Sequence, residues 1–184
     1  MTNMRSVRLL CWLLGVALVF CAACGGPSSK GQFNDYIKSM APIQARFLSA
    51  QKLALHALDE ARTALETGGD SAAAVRDLKT ARDQLNQLAA TAKNITPPSP
   101  LKTGHARFVQ SIQLGGQATA NAATAMADPD PSQRLQNMQA AQTEAALFRT
   151  MRYTLGSSWR TAVVAEANWY GVTLPAWAKK VGTR

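Results

Sequence analysis

The chain has 184 residues, 47% of them hydrophobic and 17% charged, which is enough to bury the core of one ordinary domain. Its 20 Lys and Arg residues outnumber its 11 Asp and Glu residues and give a formal net charge of +9. All three cysteines fall within the first 24 residues, which excludes a disulfide framework in the domain that follows.

The first residues of the chain have the layout of a secretory signal peptide. Arg5 and Arg8 supply a positive start, an apolar run covers residues 9–20, and small residues precede Cys24. The apolar run is too short to cross a bilayer, which requires about 20 residues. We therefore predict that residues 1–23 are removed, and the loss of the two arginines leaves a net charge of +7.

Ala22, Ala23 and Cys24 resemble the lipobox of bacterial lipoproteins. The resemblance implies cleavage before Cys24, a diacylglycerol on its sulfur, and an acyl chain such as palmitate on its new amino group. Two or three acyl chains hold a protein firmly in a membrane, whereas one binds reversibly. The sequence departs from the motif at Cys21, where an aliphatic residue is usual. Cleavage by an ordinary signal peptidase at the same junction is the alternative.

The resemblance also predicts where the protein resides. It implies an extracytoplasmic protein anchored by lipid in the cell membrane or the outer membrane. Gly25 follows the cysteine, instead of the Asp that favours inner-membrane retention in some bacteria with two membranes. The Cys21 to Cys24 spacing also matches a redox or metal CxxC motif, but the mature protein would lack Cys21.

Residues 24–31 contain Gly, Pro and Ser without apolar periodicity and are predicted to form a flexible tether. The bundle domain, residues 32–184, then shows four segments with apolar residues every three or four positions, the pattern of amphipathic helices. The first runs from Phe33 to Leu65, where Gly68 and Gly69 stop it. Pro42 lies inside it, which predicts a kink there or a helix that begins near Ala41. Asp70 or Ser71 is expected to cap the second helix.

The second segment ends before Pro97 and Pro98, and the third runs from Leu101 to Met126. Small residues from Gly115 to Ala123 would let a neighbouring helix approach the third helix closely. Asp130 is predicted as the N-cap of the fourth helix, with Pro131 at its first position and bending expected near Gly156. Together the segments predict an all-α fold, an up-down-up-down four-helix bundle.

Candidate catalytic and metal-binding residues are few. Only two histidines occur, and neither follows a Glu by three residues as a di-metal bundle site requires. His56 is expected to face solvent beside Asp59 and Glu60. His105 falls on the apolar stripe of the third helix, where a hydrogen bond to a carbonyl of the proline loop is the simplest expectation. Without a nucleophile elbow or phosphate-binding loop, we predict no enzymatic activity, no metal and no cofactor.

The C-terminal tail combines aromatic and basic residues, the types that favour membrane interfaces. Its candidate contact residues are Trp169, Trp177, Lys179 and Lys180. Two roles are open: the tail contacts a membrane or a partner, or it folds back and covers core exposed at the end of the bundle. The positive charge favours anionic headgroups, an anionic envelope polymer or another envelope protein as partner, and an exported protein does not meet chromosomal nucleic acid.

The layout of the chain is similar to that of exported helical lipoproteins of bacteria. The sequence therefore predicts a lipid-anchored protein of the cell envelope that acts as a non-catalytic interaction or structural module. The alternative is a carrier or sensor domain that binds a small molecule between helices, near His105, Phe108 and Gly115. A cavity above about 300 Å³ is the feature expected of such a domain.

Overall fold

The computed structural model describes residues 29–69 and 71–181, and within these ranges all side chains except those of residues 151–153 and 155. The predicted signal peptide, Cys24 and Asp70 lie outside the described residues. The described chain forms helices α1 (Lys30–Thr67), α2 (Ala72–Lys93), α3 (Lys102–Ala127), α4 (Pro131–Tyr170) and α5 (Ala176–Lys180), with one 3-10 turn at Ser99–Leu101. It contains no β-strand among those residues, so the predicted all-α helical bundle is confirmed.

The ends of α1 are fixed by local hydrogen bonds. Ser29 accepts a hydrogen bond from the Gln32 amide at 3.1 Å, and the Gln32 side chain accepts one from the Ser29 amide at 3.1 Å, which together form a capping box. At the other end Gly68 adopts a φ of +68°, a left-handed conformation that glycine enters without steric cost. The helix therefore begins two residues before the predicted domain boundary.

Pro42 lies inside α1, so the expectation of a helix that begins near Ala41 is wrong. Proline lacks the amide that would bond to the carbonyl of Lys38, four residues earlier. Both residues are exposed, which leaves that carbonyl on the solvent side of the helix, where water can hydrate it. The helix continues because its opposite face is buried along its whole length.

The caps of the later helices test two further predictions. Asp130 accepts a hydrogen bond from the Ser132 amide at 2.8 Å and Pro131 is the first residue of α4, as predicted. Ser71 precedes α2 but its side chain makes no capping hydrogen bond. The helix α4 is continuous through Gly156 and ends at Tyr170, where Gly171 forms the C-cap with a φ of +60°.

The closest packing is between consecutive helices, as short loops require: α1 with α2, α2 with α3, and α3 with α4. The core has two parts. One is a small-residue cluster of Ala, Leu and Met that includes Leu58, Leu78 and Met138. The other is an aromatic cluster that includes Phe33, Phe47, Phe148 and Trp159.

Several elements meet at one end of the bundle, which we call the basal end. The chain enters there at Ser29, and α2 ends and α3 begins there, on either side of the proline loop. Helix α4 also ends there, since its last residue, Tyr170, packs its ring 6.0 Å from that of Phe33 near the start of α1. The short helix α5 follows and contacts both α1 and α4.

Candidate functional site

A chain of buried hydrogen bonds joins four elements near the basal end. The indole N–H of Trp159 donates to the Tyr36 hydroxyl at 2.8 Å, and that hydroxyl lies 3.1 Å from Nδ1 of His105. Nε2 of His105 lies 3.0 Å from the carbonyl oxygen of Ala92 in the last turn of α2. All three side chains are at most 5% exposed.

The hydrogen-bond partners determine which atoms of this network carry protons. The carbonyl of Ala92 can only accept, so Nε2 of His105 carries the hydrogen and Nδ1 accepts from the Tyr36 hydroxyl. Burial raises the pKa of Tyr36 well above its ordinary value, although the hydrogen bond from Trp159 lowers it, so the hydroxyl keeps its proton. Burial also lowers the pKa of His105, against the opposing effect of the Ala92 carbonyl. The network is neutral and each of its polar groups is paired, which suits a structural role.

His105 therefore bonds a backbone carbonyl, as the sequence indicated, but the carbonyl belongs to α2 instead of the proline loop. Sequence reasoning did not find Tyr36 and Trp159, its partners through the network, because they lie 69 and 123 residues away along the chain from the groups they bond. The spacing of apolar residues in the first and fourth segments gave no sign that these two polar atoms meet.

Lowering the pH is expected to destabilise the fold through His105. Its pKa is lowered in the folded state from the ordinary 6.5, so below about pH 6.5 the unfolded chain binds a proton that the folded chain does not. Stability present above pH 6.5 is then lost on acidification, by up to about 1.4 kcal/mol per pH unit for one proton. Urea unfolding at pH 7.5, 6.5 and 5.5 measures this slope.

The matched control is the second histidine. His56 is exposed and lies 3.3 Å from Glu60, so it is not desolvated. A His56→Gln variant should keep the wild-type dependence on pH, whereas a His105→Gln variant should have a flatter dependence between pH 7.5 and 5.5. If the unfolding free energy of the wild type and of the His105 variant changed equally with pH, His105 would not be the source of the pH dependence.

His56 pairs with Glu60 but not with Asp59, whose carboxylate accepts from Arg62 at 2.9 Å. No group of three or more His, Cys, Asp or Glu side chains suited to a metal ion occurs in the part of the chain that the structure describes. Glu144 accepts two hydrogen bonds from Asn121, at 2.8 and 3.0 Å. Asp59, Glu60 and Glu144 thus sit in ordinary surface contacts.

The predicted contact residues of the tail divide into two groups. Trp177 is half-buried and stacks on Trp159, with ring centroids 6.0 Å apart and planes at 28°, while Ala178 beside it is fully buried. Trp169, in contrast, is 79% exposed, and Lys179 and Lys180 are also exposed. Helix α5 therefore covers the aromatic core and presents two exposed lysines on its outer side.

A groove of about 440 Å³ lies beside α5, and we call it the seam groove. Its walls come from four helices and are mostly apolar; they include Phe47 and Leu48 of α1, Phe108 of α3, Gly156 of α4, and Trp177 and Val181 at the α5 end. Gly156 contributes no side chain, which leaves the α4 wall open. Two buried polar residues, Gln44 and Ser111, also line the groove.

The groove includes one of the three residues that the sequence proposed for a pocket. Phe108 lines it, but His105 is engaged with Tyr36 and Ala92. Gly115 faces the ring of Phe148: a β-carbon added there would lie 2.7 Å from Cζ. The small residues of α3 thus serve close helix packing, and the groove forms where α5 joins α1.

The fold and its sites define an all-α helical bundle with an aromatic core cluster, a short helix with two exposed lysines that covers it, and an apolar groove. No helix among residues 29–69 and 71–181 has the length and hydropathy needed to cross a bilayer. The chain matches no protein-family model, and the comparisons with curated proteins and with solved structures found no match.

Proposed function

We propose that this protein is a lipoprotein of the bacterial cell envelope, held to a membrane through Cys24, that acts as a binding module without catalysis. The observation that carries the proposal is the position of Ser29 at the basal end. Cys24 lies five residues before Ser29, a distance of at most about 18 Å for an extended chain. An anchor at Cys24 would hold the basal end close to the headgroups.

The surface of the basal end fits that position. Trp169, in the last turn of α4, is exposed there, and indole groups are favoured at the interface between water and lipid. Lys179 and Lys180 are exposed on α5, where Lys180 lines the seam groove farther along the bundle. Each basic residue near an anionic surface contributes about 1 kcal/mol to binding. The side chains of α5 therefore support both roles weighed for the tail: Trp177 closes the core, and the lysines favour an anionic membrane or polymer.

The anchor is tested by metabolic labelling. Cells that express the wild-type chain are grown with an alkyne-bearing palmitate analogue, and label on the protein is compared with that on a Cys24→Ala variant. Label is expected on the wild type alone, because the thioether forms only at Cys24, and the variant should leave the membrane fraction. Cys21→Ala is the matched control and should keep the label. Equal label on the wild type and the Cys24 variant would show that Cys24 is not the lipid anchor.

The seam groove favours a second candidate function, the binding of a small molecule between helices. Its volume of about 440 Å³ exceeds the roughly 300 Å³ at which ligand pockets begin. It also combines apolar walls with a few buried polar groups, the usual composition of such pockets. The two functions are compatible, because the groove is set in the side of the bundle.

A further inference from the structure

The charged residues of the bundle are divided unevenly along its axis. The rings of Phe47 and Phe148 meet midway along α1 and α4, and we divide the described chain at that level. The basal half comprises residues 29–47, 85–115 and 148–181, and the distal half comprises residues 48–69, 71–84 and 116–147. The basal half contains eleven basic and two acidic residues, a net charge of +9, whereas the distal half contains six and eight, a net charge of −2. The positive charge of the bundle is thus concentrated toward the basal end.

Five of these basic residues surround the basal end itself, and we call them the basal collar. Each is exposed and lies within eight residues, about 12 Å along a helix axis, of the basal end of its helix. They are Lys30 and Lys38 of α1, Lys93 of α2, and Lys102 and Arg107 of α3. Asp35 of α1 and Glu166 of α4 are the two acidic residues of the basal half, so the collar keeps a clear excess of positive charge.

The basic residues of the two halves also differ in their pairing. In the distal half Arg62, Arg76 and Arg82 lie 2.9, 3.9 and 2.8 Å from neighbouring carboxylates. No residue of the basal collar forms an ion pair with another described residue. The collar charges are therefore not compensated by the chain, and together they attract anions to this end of the bundle.

Trp169 indicates which kind of anion fits this surface. Its indole is 79% exposed in the last turn of α4, at the same end as the collar. Indole groups are favoured where a headgroup layer meets hydrocarbon. A water-soluble anionic polymer has no apolar layer to receive this ring, whereas a bilayer with anionic headgroups provides both the charge and the apolar layer.

We propose that the basal collar binds the anionic phospholipid headgroups of a bilayer, that Trp169 enters the interfacial layer, and that the distal half points away from the membrane. The proposal rests on the proposed function, because a lipid at Cys24 would bring the basal end to the bilayer. The affinity of the collar for lipid is a property of the bundle and is measured without that lipid.

The test uses the full chain with Cys24→Ala, so that no lipid attached to this residue contributes to binding. Co-sedimentation compares vesicles of phosphatidylcholine containing 30% phosphatidylglycerol with vesicles of phosphatidylcholine alone. Binding to the anionic vesicles should be at least tenfold tighter, and 1 M NaCl should abolish the difference, because the Debye length is then only about 3 Å. Equal binding to both kinds of vesicle would overturn the proposal.

Two pairs of lysines give matched variants of the same charge change. Lys93 and Lys102 belong to the collar, whereas Lys52 and Lys79 are exposed in the distal half and also lack ion pairs with described residues. Lys79 lies 14 residues, about 21 Å, from Lys93 along α2, which exceeds a Debye length of about 10 Å.

Replacing both collar lysines with glutamine should weaken binding to the anionic vesicles about 25-fold, since each basic residue near the surface contributes about fivefold. Replacing Lys52 and Lys79 with glutamine should weaken it by no more than about twofold. Any contribution from residues 1–23 is the same in both double variants. Equal losses would show that the net charge, and not the collar, determines binding.

A fluorescence measurement tests whether the indole enters the bilayer. Anionic vesicles with brominated acyl chains quench an indole that reaches the interface, so the wild-type chain should be quenched more strongly than a Trp169→Phe variant, which retains Trp159 and Trp177. Equal quenching would contradict the position of Trp169. Poly-L-glutamate, at a carboxylate concentration equal to that of the lipid phosphate, should displace less than half of the bound chain. Displacement of most of it would identify an anionic polymer as the preferred partner and overturn the lipid assignment.

The collar and the anchor are tested independently. Palmitate labelling reports on Cys24 whether or not the collar binds lipid, and the vesicle measurements are made on a chain without that cysteine. Label at Cys24 with no preference for anionic vesicles would overturn the collar alone, whereas the preference without the label would leave the collar and remove the anchor.

Discussion

Replacing Trp159 with alanine is expected to lower the free energy of unfolding by about 3 to 5 kcal/mol, the usual cost of truncating a buried aromatic residue. Trp159 is 1% exposed and is among the largest fully buried side chains of the described residues. It packs in the aromatic cluster, donates to Tyr36 and stacks on Trp177. Its loss would therefore open a cavity between α3 and α4 and remove the surface on which α5 rests.

Two further variants separate these contributions. Trp159→Phe keeps part of the buried ring and removes the indole donor, so it should cost less, with about 1 kcal/mol of the loss due to the hydrogen bond to Tyr36. Trp169→Ala removes an indole that is 79% exposed and should change stability by no more than about 0.5 kcal/mol. Urea unfolding followed by circular dichroism at 222 nm measures all three. A Trp159→Ala variant as stable as Trp169→Ala would contradict the packing described.

Replacing Gly115 with leucine is expected to destabilise the bundle by about 3 kcal/mol, the upper end of the usual cost of overpacking. A β-carbon at this position would lie 2.7 to 3.0 Å from three atoms of the Phe148 ring, closer than contact allows. Phe148 cannot easily move away, because it is 1% exposed and packs edge-on against Phe47 at 6.0 Å. The better helix propensity of leucine offsets only about 1 kcal/mol of this cost.

A compensating change tests whether Phe148 is the cause. Phe148→Ala alone should cost about 3 to 5 kcal/mol because it leaves a cavity. In the double variant the leucine occupies part of that cavity, so the combined loss should be smaller than the sum of the single losses by more than 1 kcal/mol. Gly31→Leu is the control, since an added β-carbon there meets only the Ser29 hydroxyl oxygen, at 3.8 Å. If the stability losses of the two single variants were additive in the double variant, contact with Phe148 would not be the cause of the destabilisation by Gly115→Leu.

Most of the fold could be predicted because its signals are local. Apolar residues three and four positions apart predicted the four long helices, Gly68 and Gly171 end two of them, and Asp130 with Pro131 starts another. Pro42 shows the limit of a local rule. Proline usually breaks a helix interior, but tertiary packing of the buried face of α1 outweighs the single lost hydrogen bond.

The candidate site was less predictable because its atoms come from distant parts of the chain. The position of Gln44 among apolar residues, four after Met40 and three before Phe47, was a usable signal for a buried amide. The sequence could not show that this amide would lack a partner, since that depends on how α3, α4 and α5 meet α1. It likewise predicted that His105 is buried without identifying Tyr36 as its partner.

By itself, the sequence determined the helical class, the number of long helices and most of their ends, because hydrogen bonds within a helix and the spacing of its apolar residues are properties of neighbouring residues. The tertiary structure alone decided that α5 folds back onto Trp159, that Gly115 seats the ring of Phe148, and that a groove with an unpaired amide remains beside them. Side-chain volumes are known from the sequence, but the space they fill is set by the relative positions of packed helices.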